Sequence, residues 1–204
     1  MKIHRIIIVG ICFLFVCLYG QAQTGIKGIV TNMETEKDSI ALYNPFDRQN
    51  PVLEKVMIGK KGTFEFTYTP SEIGFYFIVL SNKKNVLVVL TPQNNGQVEI
   101  NASTGILSKI TNSEQNTLLK SAQEIMANYN EKQQSVEQSS EKSAAQKQLD
   151  IQILEVDKLD AIANLLLKNT SNYASAALIE YLPTEKYLAV HDSILTALLK
   201  KYSN

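Results

Sequence analysis

The chain has 204 residues and a formal net charge of zero, with 20 lysines and arginines against 20 aspartates and glutamates. This balance gives neither a basic field for phosphates nor a strongly acidic surface, so we predict that the protein binds no nucleic acid. The length suits one β-domain with a helical appendage, or two small domains, and allows a hydrophobic core without disulfides.

Residues 1–22 have the pattern of a secretory signal peptide. Lys2 and Arg5 precede an apolar run at residues 6–19, and Gly20 and Ala22 are the small residues that a signal peptidase requires. The alternative is a retained membrane anchor, but a span of the bilayer needs about 20 apolar residues and this run is shorter. We therefore predict cleavage after Ala22, a periplasmic or otherwise exported product, and no stable membrane insertion after cleavage.

Both cysteines, Cys12 and Cys17, lie inside this predicted leader. Cleavage would leave a chain with no thiol, because no cysteine occurs after residue 17. Such a chain can form no disulfide, no Cys-x-x-Cys redox pair and no thiolate zinc site, so its stability must come from packing.

Residues 23–111 carry the pattern of an antiparallel β-sandwich, because short apolar segments alternate with turn residues at regular spacing. In the clearest segment, Phe64, Phe66 and Tyr68 alternate with Glu65 and Thr67, which predicts a strand with its aromatic face buried. Two segments are continuously apolar, which predicts strands covered on both faces; they lie at residues 75–80 and 86–90. The other predicted strands lie at residues 26–30, 39–43, 53–58, 97–101 and 106–110.

Residues 112–204 have helical periodicity. Asn112 and Gln115 predict a capping box at the start of the first helix. Its apolar stripe comprises Leu118, Leu119, Ala122, Ile125, Met126 and Tyr129. The polar stretch at residues 130–148 predicts either a helical hairpin that turns at Ser139-Ser140 or a single long exposed helix. A partner-binding coiled coil would need apolar residues at both a and d positions, and these are missing.

The rest of the helical region predicts a second hairpin helix and two C-terminal helices, at residues 173–182 and 184–202, separated by Pro183. The second hairpin helix has the stripe Leu149, Ile153, Val156, Leu159, Ile162 and Leu166. The buried side of the last helix is predicted to comprise Tyr187, Leu188, Ile194, Leu195, Leu198 and Leu199. The predicted fold class is therefore α+β, an N-terminal antiparallel β-sandwich followed by a C-terminal α-helical region.

Two loops resemble ligand-binding motifs without completing them. Oxygen-bearing side chains alternate in a pattern that could wrap calcium, at Asn32, Glu34, Glu36 and Asp38. The required glycine and final glutamate are absent, since the twelfth position is Tyr43, so we predict a solvated hairpin loop. At residues 59–63, Gly62 is followed directly by Thr63 where a phosphate-binding loop needs a lysine between them.

The sequence offers no catalytic constellation. His191 neighbours Asp192 and Ser193, but consecutive side chains of a helix diverge by about 100 degrees and cannot form a relay. Glu65 and Glu99 could face each other across a sheet, yet alternation makes both of them outward residues on strands. We predict no catalytic, cofactor-binding or metal-binding residues, no cofactor, and no enzyme.

The order of these segments resembles a domain of unknown function that precedes the thioredoxin-like domain in periplasmic thiol-disulfide oxidoreductases of Bacteroidetes. The segments that carry the resemblance are Gly28, residues 40–43, 62–66, 74–76 and 85–90, and the helical tail at residues 167–178 and 187–202. In that family a Cys-x-x-Cys domain would begin after about residue 204, where this chain stops. The resemblance therefore implies an envelope module without the redox residues or their activity.

These observations lead to competing hypotheses. The first is a non-enzymatic envelope protein whose β-sandwich binds a partner protein or a small ligand. The alternative is the accessory half of a split periplasmic oxidoreductase, joined by a separately encoded thioredoxin-like protein. A third is a hydrolase or sugar-binding sandwich, which predicts clustered exposed aromatic residues or paired carboxylates at one end of the fold.

Overall fold

The computed structural model describes residues 25–33, 38–93 and 95–203. The predicted leader lies outside these residues, as do Glu34 and Glu36 of the calcium alternative. Within them the chain is α+β, with eight strands followed by four α-helices. The strands are β1 Lys27–Thr31, β2 Ser39–Tyr43, β3 Val52–Met57, β4 Thr63–Glu65, β5 Gly74–Val79, β6 Asn85–Leu90, β7 Gln97–Asn101 and β8 Ile106–Thr111. The helices are α1 Glu114–Gln138, α2 Ala144–Leu167, α3 Ser175–Leu178 and α4 Thr184–Tyr202, and short 3-10 turns lie at Lys60–Gly62 and Ile179–Tyr181.

The strands form two four-stranded sheets, with orders β4-β1-β7-β8 and β3-β2-β5-β6. Every pairing is antiparallel except that of β1 with β7, which run parallel. The prediction of a wholly antiparallel arrangement is wrong at this pair. Parallel neighbours need a long connection, and the chain between β1 and β7 supplies it by building the whole second sheet.

The burial of the aromatic segment confirms its predicted register. Phe64 and Phe66 are buried, and Phe66 is 0% exposed, while Glu65 and Thr67 face solvent. The regular strand β4 ends at Glu65, earlier than predicted. The backbone N–H of Phe66 still donates to the carbonyl of Ile26 at 2.9 Å, so this chain continues beside the start of β1.

The two continuously apolar segments differ in burial. In β5, Tyr76 and Ile78 are buried while Phe75 and Phe77 are only half-buried, so the prediction of two covered faces is wrong for this strand. In β6, burial is nearly continuous from Val86 to Leu90, interrupted only by half-buried Leu87. Helix α1 contacts β6 and is one reason for the difference.

Helices α1 and α2 form the predicted hairpin, with α1 ending at Gln138 and α2 starting at Ala144. The predicted cap at Asn112 is wrong by one residue, since the Oγ of Ser113 accepts the N–H of Asn116 at 3.4 Å. Asn112 instead has φ 57°, a left-handed conformation that asparagine tolerates. Ser143 and Gln146 make a reciprocal capping box at the start of α2.

The predicted apolar stripe of α2 divides into two parts. Ile162 and Leu166 are buried, and Leu159 is half-buried. The three distal residues are exposed, namely Leu149 at 57%, Ile153 at 51% and Val156 at 42%. Helical periodicity alone does not distinguish these two parts. A helical hairpin alone buries only the sides on which its two helices face each other, so the distal stripe has no cover within the described chain.

The predicted buried side of helix α4 is wrong in part. Tyr187 and Ile194 are buried, whereas three leucines assigned to the buried side are exposed: Leu188, Leu195 and Leu199. The hydroxyl of Tyr187 donates to the carboxylate of Asp160 on α2 at 2.5 Å, which shows that α4 packs beside the proximal part of that helix. In the described part of the chain, no helix is long and apolar enough to cross a membrane.

Candidate functional site

Helix α1 lies against the outermost strands of both sheets, and two of its amide side chains bond to strand backbone. The Oδ1 of Asn116 accepts the N–H of Val89 at 2.8 Å, and its Nδ2 donates to the carbonyl of Val89 at 3.0 Å. The Oε1 of Gln123 accepts the N–H of Leu107 at 3.2 Å. Since β6 and β8 each end a sheet, these amides occupy edge groups that no neighbouring strand satisfies.

The sequence does not predict this arrangement. Asn116 and Gln123 are polar residues beside the apolar stripe of α1, a position usually taken by solvent-facing side chains. Asn116 is nonetheless 0% exposed. An amide two residues before the first stripe leucine is the one signal that could have drawn attention to it.

A groove of about 380 Å³ opens where α1 and β6 meet residues 175–181. These residues comprise α3 and the 3-10 turn that follows it, and we call them the α3 segment. Its lining is mainly apolar and comprises Leu87, Leu119, Gln123, Met126, Ala177, Leu178, Glu180 and Tyr181. Leu119 and Leu178 are buried, while Tyr181 is 51% exposed at the rim. The groove therefore has an apolar floor and a solvent-exposed rim, the general composition of a binding cleft.

Two polar groups in this groove have capacity for a ligand. Gln123 uses its oxygen on Leu107, and its amide nitrogen has no hydrogen-bond partner among the described residues. Glu180 is exposed and forms no ion pair within the described chain. The groove thus offers one hydrogen-bond donor and one carboxylate beside its apolar floor.

A larger hollow of about 740 Å³ lies at the start of α1, and its lining includes Ser113, Thr117, Asn169 and Asn172. Three of its polar side chains are engaged in the fold. Thr117 donates to the Ser113 carbonyl at 2.7 Å, Asn169 donates to the Leu165 carbonyl at 2.8 Å, and Asn172 donates to the Glu114 carbonyl at 3.3 Å. The bond from Asn172 ties the turn after α2 back to the start of α1, so we regard the hollow as a structural joint.

The residues weighed as catalytic candidates are not brought together. The Nε2 of His191 donates to the carbonyl of Leu182 at 2.9 Å, while Asp192 and Ser193 are exposed. Glu65 on β4 and Glu99 on β7 are separated by β1, which pairs with both strands.

No three His, Cys, Asp or Glu side chains cluster as metal ligands among the residues that the structure describes. Asp38, the described acid of the calcium alternative, accepts the hydroxyl of Ser81 at 2.7 Å.

Three comparisons with known proteins give no relative. No protein-family model matches the chain, no curated protein matches it, and no solved structure matches it. The resemblance to the domain that precedes thioredoxin-like domains stays a prediction, and the site has to be interpreted from its own geometry.

Proposed function

We propose that the chain is a non-enzymatic protein of the cell envelope that binds a partner protein through the groove between α1, β6 and the α3 segment. The observation that carries this proposal is the apolar lining around Leu119, Met126 and Leu178, open at a rim with Tyr181 half exposed. Protein interfaces have an apolar centre, and tyrosine is enriched among the residues that contribute most to binding.

We further propose that the two sheets pack face to face as a β-sandwich. The carboxylate of Glu54 on β3 accepts the backbone N–H groups of Thr67 and Tyr68, at 2.8 and 2.9 Å, just beyond β4. This contact links the β3 edge of one sheet to the β4 edge of the other. At the opposite edges α1 contacts both β6 and β8, and the buried side chains of both sheets belong to one apolar cluster.

Binding fits the chemistry of the groove better than catalysis does. Glu180 and Tyr181 are its titratable lining residues, and neither hydrogen-bonds to a second titratable side chain in the described part of the chain. An acid–base mechanism needs groups of this kind held in mutual contact. An apolar groove with single polar groups instead orients a bound side chain.

The proposal includes export, with residues 1–22 acting as a cleaved leader. A thioredoxin-like protein is one candidate partner, as is another envelope protein. The chain after the leader contains no cysteine, so any redox chemistry of such a complex would be carried out by the partner.

Site-specific photocross-linking tests the proposal. A benzophenone side chain placed at Tyr181 in cells should cross-link one envelope protein, identified by mass spectrometry. The same group placed at Leu149, an exposed apolar residue on distal α2, should not cross-link it. Cross-linking of the same protein from Leu149 alone would place the interface on the hairpin and overturn the proposal.

A matched pair of variants makes the test specific to the groove. Ala177→Leu adds three carbons to a lining position and should abolish cross-linking from Tyr181. Ala189→Leu, at an exposed position of α4 outside the groove, should leave it unchanged. Circular dichroism melts should show that both variants are folded, and persistent cross-linking in Ala177→Leu would contradict the proposal.

A further inference from the structure

We infer that the groove recognises a segment of the partner that presents an apolar side chain beside a lysine or arginine. The apolar side chain occupies the floor formed by Leu119, Met126 and Leu178, and the cation pairs with Glu180. This inference rests on the proposed function and names the chemistry of the segment that the site takes.

The volume of the groove limits the size of its occupant. About 380 Å³ lies near the lower end of the roughly 300–1,000 Å³ typical of ligand sites. Such a space admits one or two side chains, whereas a helix face would need a longer cleft. Gln123 adds polar specificity, because its free amide nitrogen can donate to a backbone carbonyl of the bound segment.

The charge of Glu180 determines which residue is preferred beside the apolar side chain of the bound segment. Glu180 is the one charged residue in the lining, and no lysine or arginine pairs with it in the described chain. A cation on the ligand gains a partner there, whereas a carboxylate would be repelled. An apolar segment flanked by acids would therefore be disfavoured.

The negative charge of Glu180 also disfavours this chain's own exposed stripe on α2 as the occupant. Helical spacing places Asp157 four residues after Ile153 and Asp160 four residues after Val156, so both carboxylates border that stripe. Docking of a second copy through it would bring these carboxylates towards Glu180. A different protein with a basic and apolar segment is the better match.

Methyl NMR of the exported protein with three matched peptides tests the inference. The probes are tetrapeptide amides with two central leucines flanked by two lysines, two glutamines or two glutamates. Labelled methionine methyls report binding at Met126, which lines the groove, while Met57 on β3, 64% exposed and outside the groove, is the internal control. The lysine peptide should shift Met126 selectively and bind about two- to fivefold more tightly than the glutamine peptide at low salt, and the glutamate peptide should bind most weakly.

Two variants test whether the preference for the lysine peptide depends on the carboxylate of Glu180. Glu180→Gln should give the lysine and glutamine peptides equal affinities, while Glu185→Gln, exposed and outside the groove, should keep the difference. Equal affinities of all three peptides for the parent protein would overturn the inference. Absence of a response at Met126, or an equal response at Met57, would also overturn it, as would a Met126 shift that depends on protein concentration without peptide.

The two proposals fail separately. If Tyr181 cross-links a partner but the peptides do not discriminate, the site binds protein with a different chemistry and this inference is wrong. If the peptides discriminate but no partner is cross-linked, the groove has the inferred preference and the proposed function is wrong.

Discussion

At the scale of single residues, the burial of Phe66 shows which face of its segment lies in the core. Phe66 is fully buried, and its ring centroid lies 5.6 Å from that of Phe64. Glu65, between them, faces solvent. A shift by one residue would exchange these environments, so burial at this segment is a direct test of strand register.

We therefore predict that Phe66→Ala lowers the free energy of unfolding by about 3 to 5 kcal/mol, because it removes a buried ring and leaves a cavity. Glu65→Ala should change it by less than about 0.5 kcal/mol, since no buried contact is lost. Guanidinium chloride melts of the two variants measure both values. Similar losses, or a larger loss for Glu65→Ala, would mean that the segment does not have this register.

At the scale of elements, helix α1 is fixed to the sheets by amides as well as by leucines. The two bonds between Asn116 and the backbone of Val89 satisfy edge groups of β6 in a buried position. Removing one partner of a buried hydrogen bond costs more than the net value of the bond, because the other partner stays desolvated.

Asn116→Ala should therefore destabilise the protein by about 1 to 3 kcal/mol and speed hydrogen exchange at the amide of Val89. Asn128→Ala, at an exposed position of the same helix, is the matched control and should change neither quantity measurably. Exchange measured by NMR on both variants decides the matter. Unchanged protection of Val89 in Asn116→Ala would show that α1 is held by its apolar side alone.

How much of the fold the sequence predicts depends on whether a local pattern or a distant contact decides the outcome. Alternation at Phe64 to Tyr68 and the polar turn near Ser139 are local signals, and the strand register and the hairpin follow from them. The parallel pairing of β1 with β7 depends on a distant contact and leaves no local mark. The exposed leucines of α4 show a further limit, because periodicity finds a stripe but not its cover.

The candidate groove is even harder to predict from the sequence. Leu87, Met126 and Tyr181 come from three elements that are distant along the chain. Each of them alone has the pattern of an ordinary core or surface residue. Only the packing of α1 across β6, with the α3 segment beside it, brings them together around Glu180.

At the scale of the whole molecule, two buried tyrosines, Tyr76 and Tyr187, and half-buried Tyr173 lie at contacts between elements. Tyr76 is in the second sheet beside Tyr68, with ring centroids 5.9 Å apart. Tyr173 stacks on Phe75 of β5 at 4.9 Å, which joins the helices to that sheet. Tyr187 bonds to Asp160 and joins α4 to α2. Burial is the main cause that raises the pKa of all three hydroxyls above their ordinary value of 10.0.

These raised pKa values predict a specific alkaline instability. Above pH 10 the unfolded chain releases the tyrosine protons while the folded chain retains them, so the stabilisation present below that pH is lost as the pH rises. A tyrosine that keeps its proton in the folded state while the unfolded chain loses it contributes a slope of at most about 1.4 kcal/mol per pH unit. Tyr76→Phe should therefore reduce the fall in unfolding free energy between about pH 10 and 11 by up to about 1 kcal/mol, as measured by urea melts at a series of pH values. The same slope in the parent protein and in Tyr76→Phe would mean that Tyr76 ionises as readily in the folded protein as in the unfolded chain.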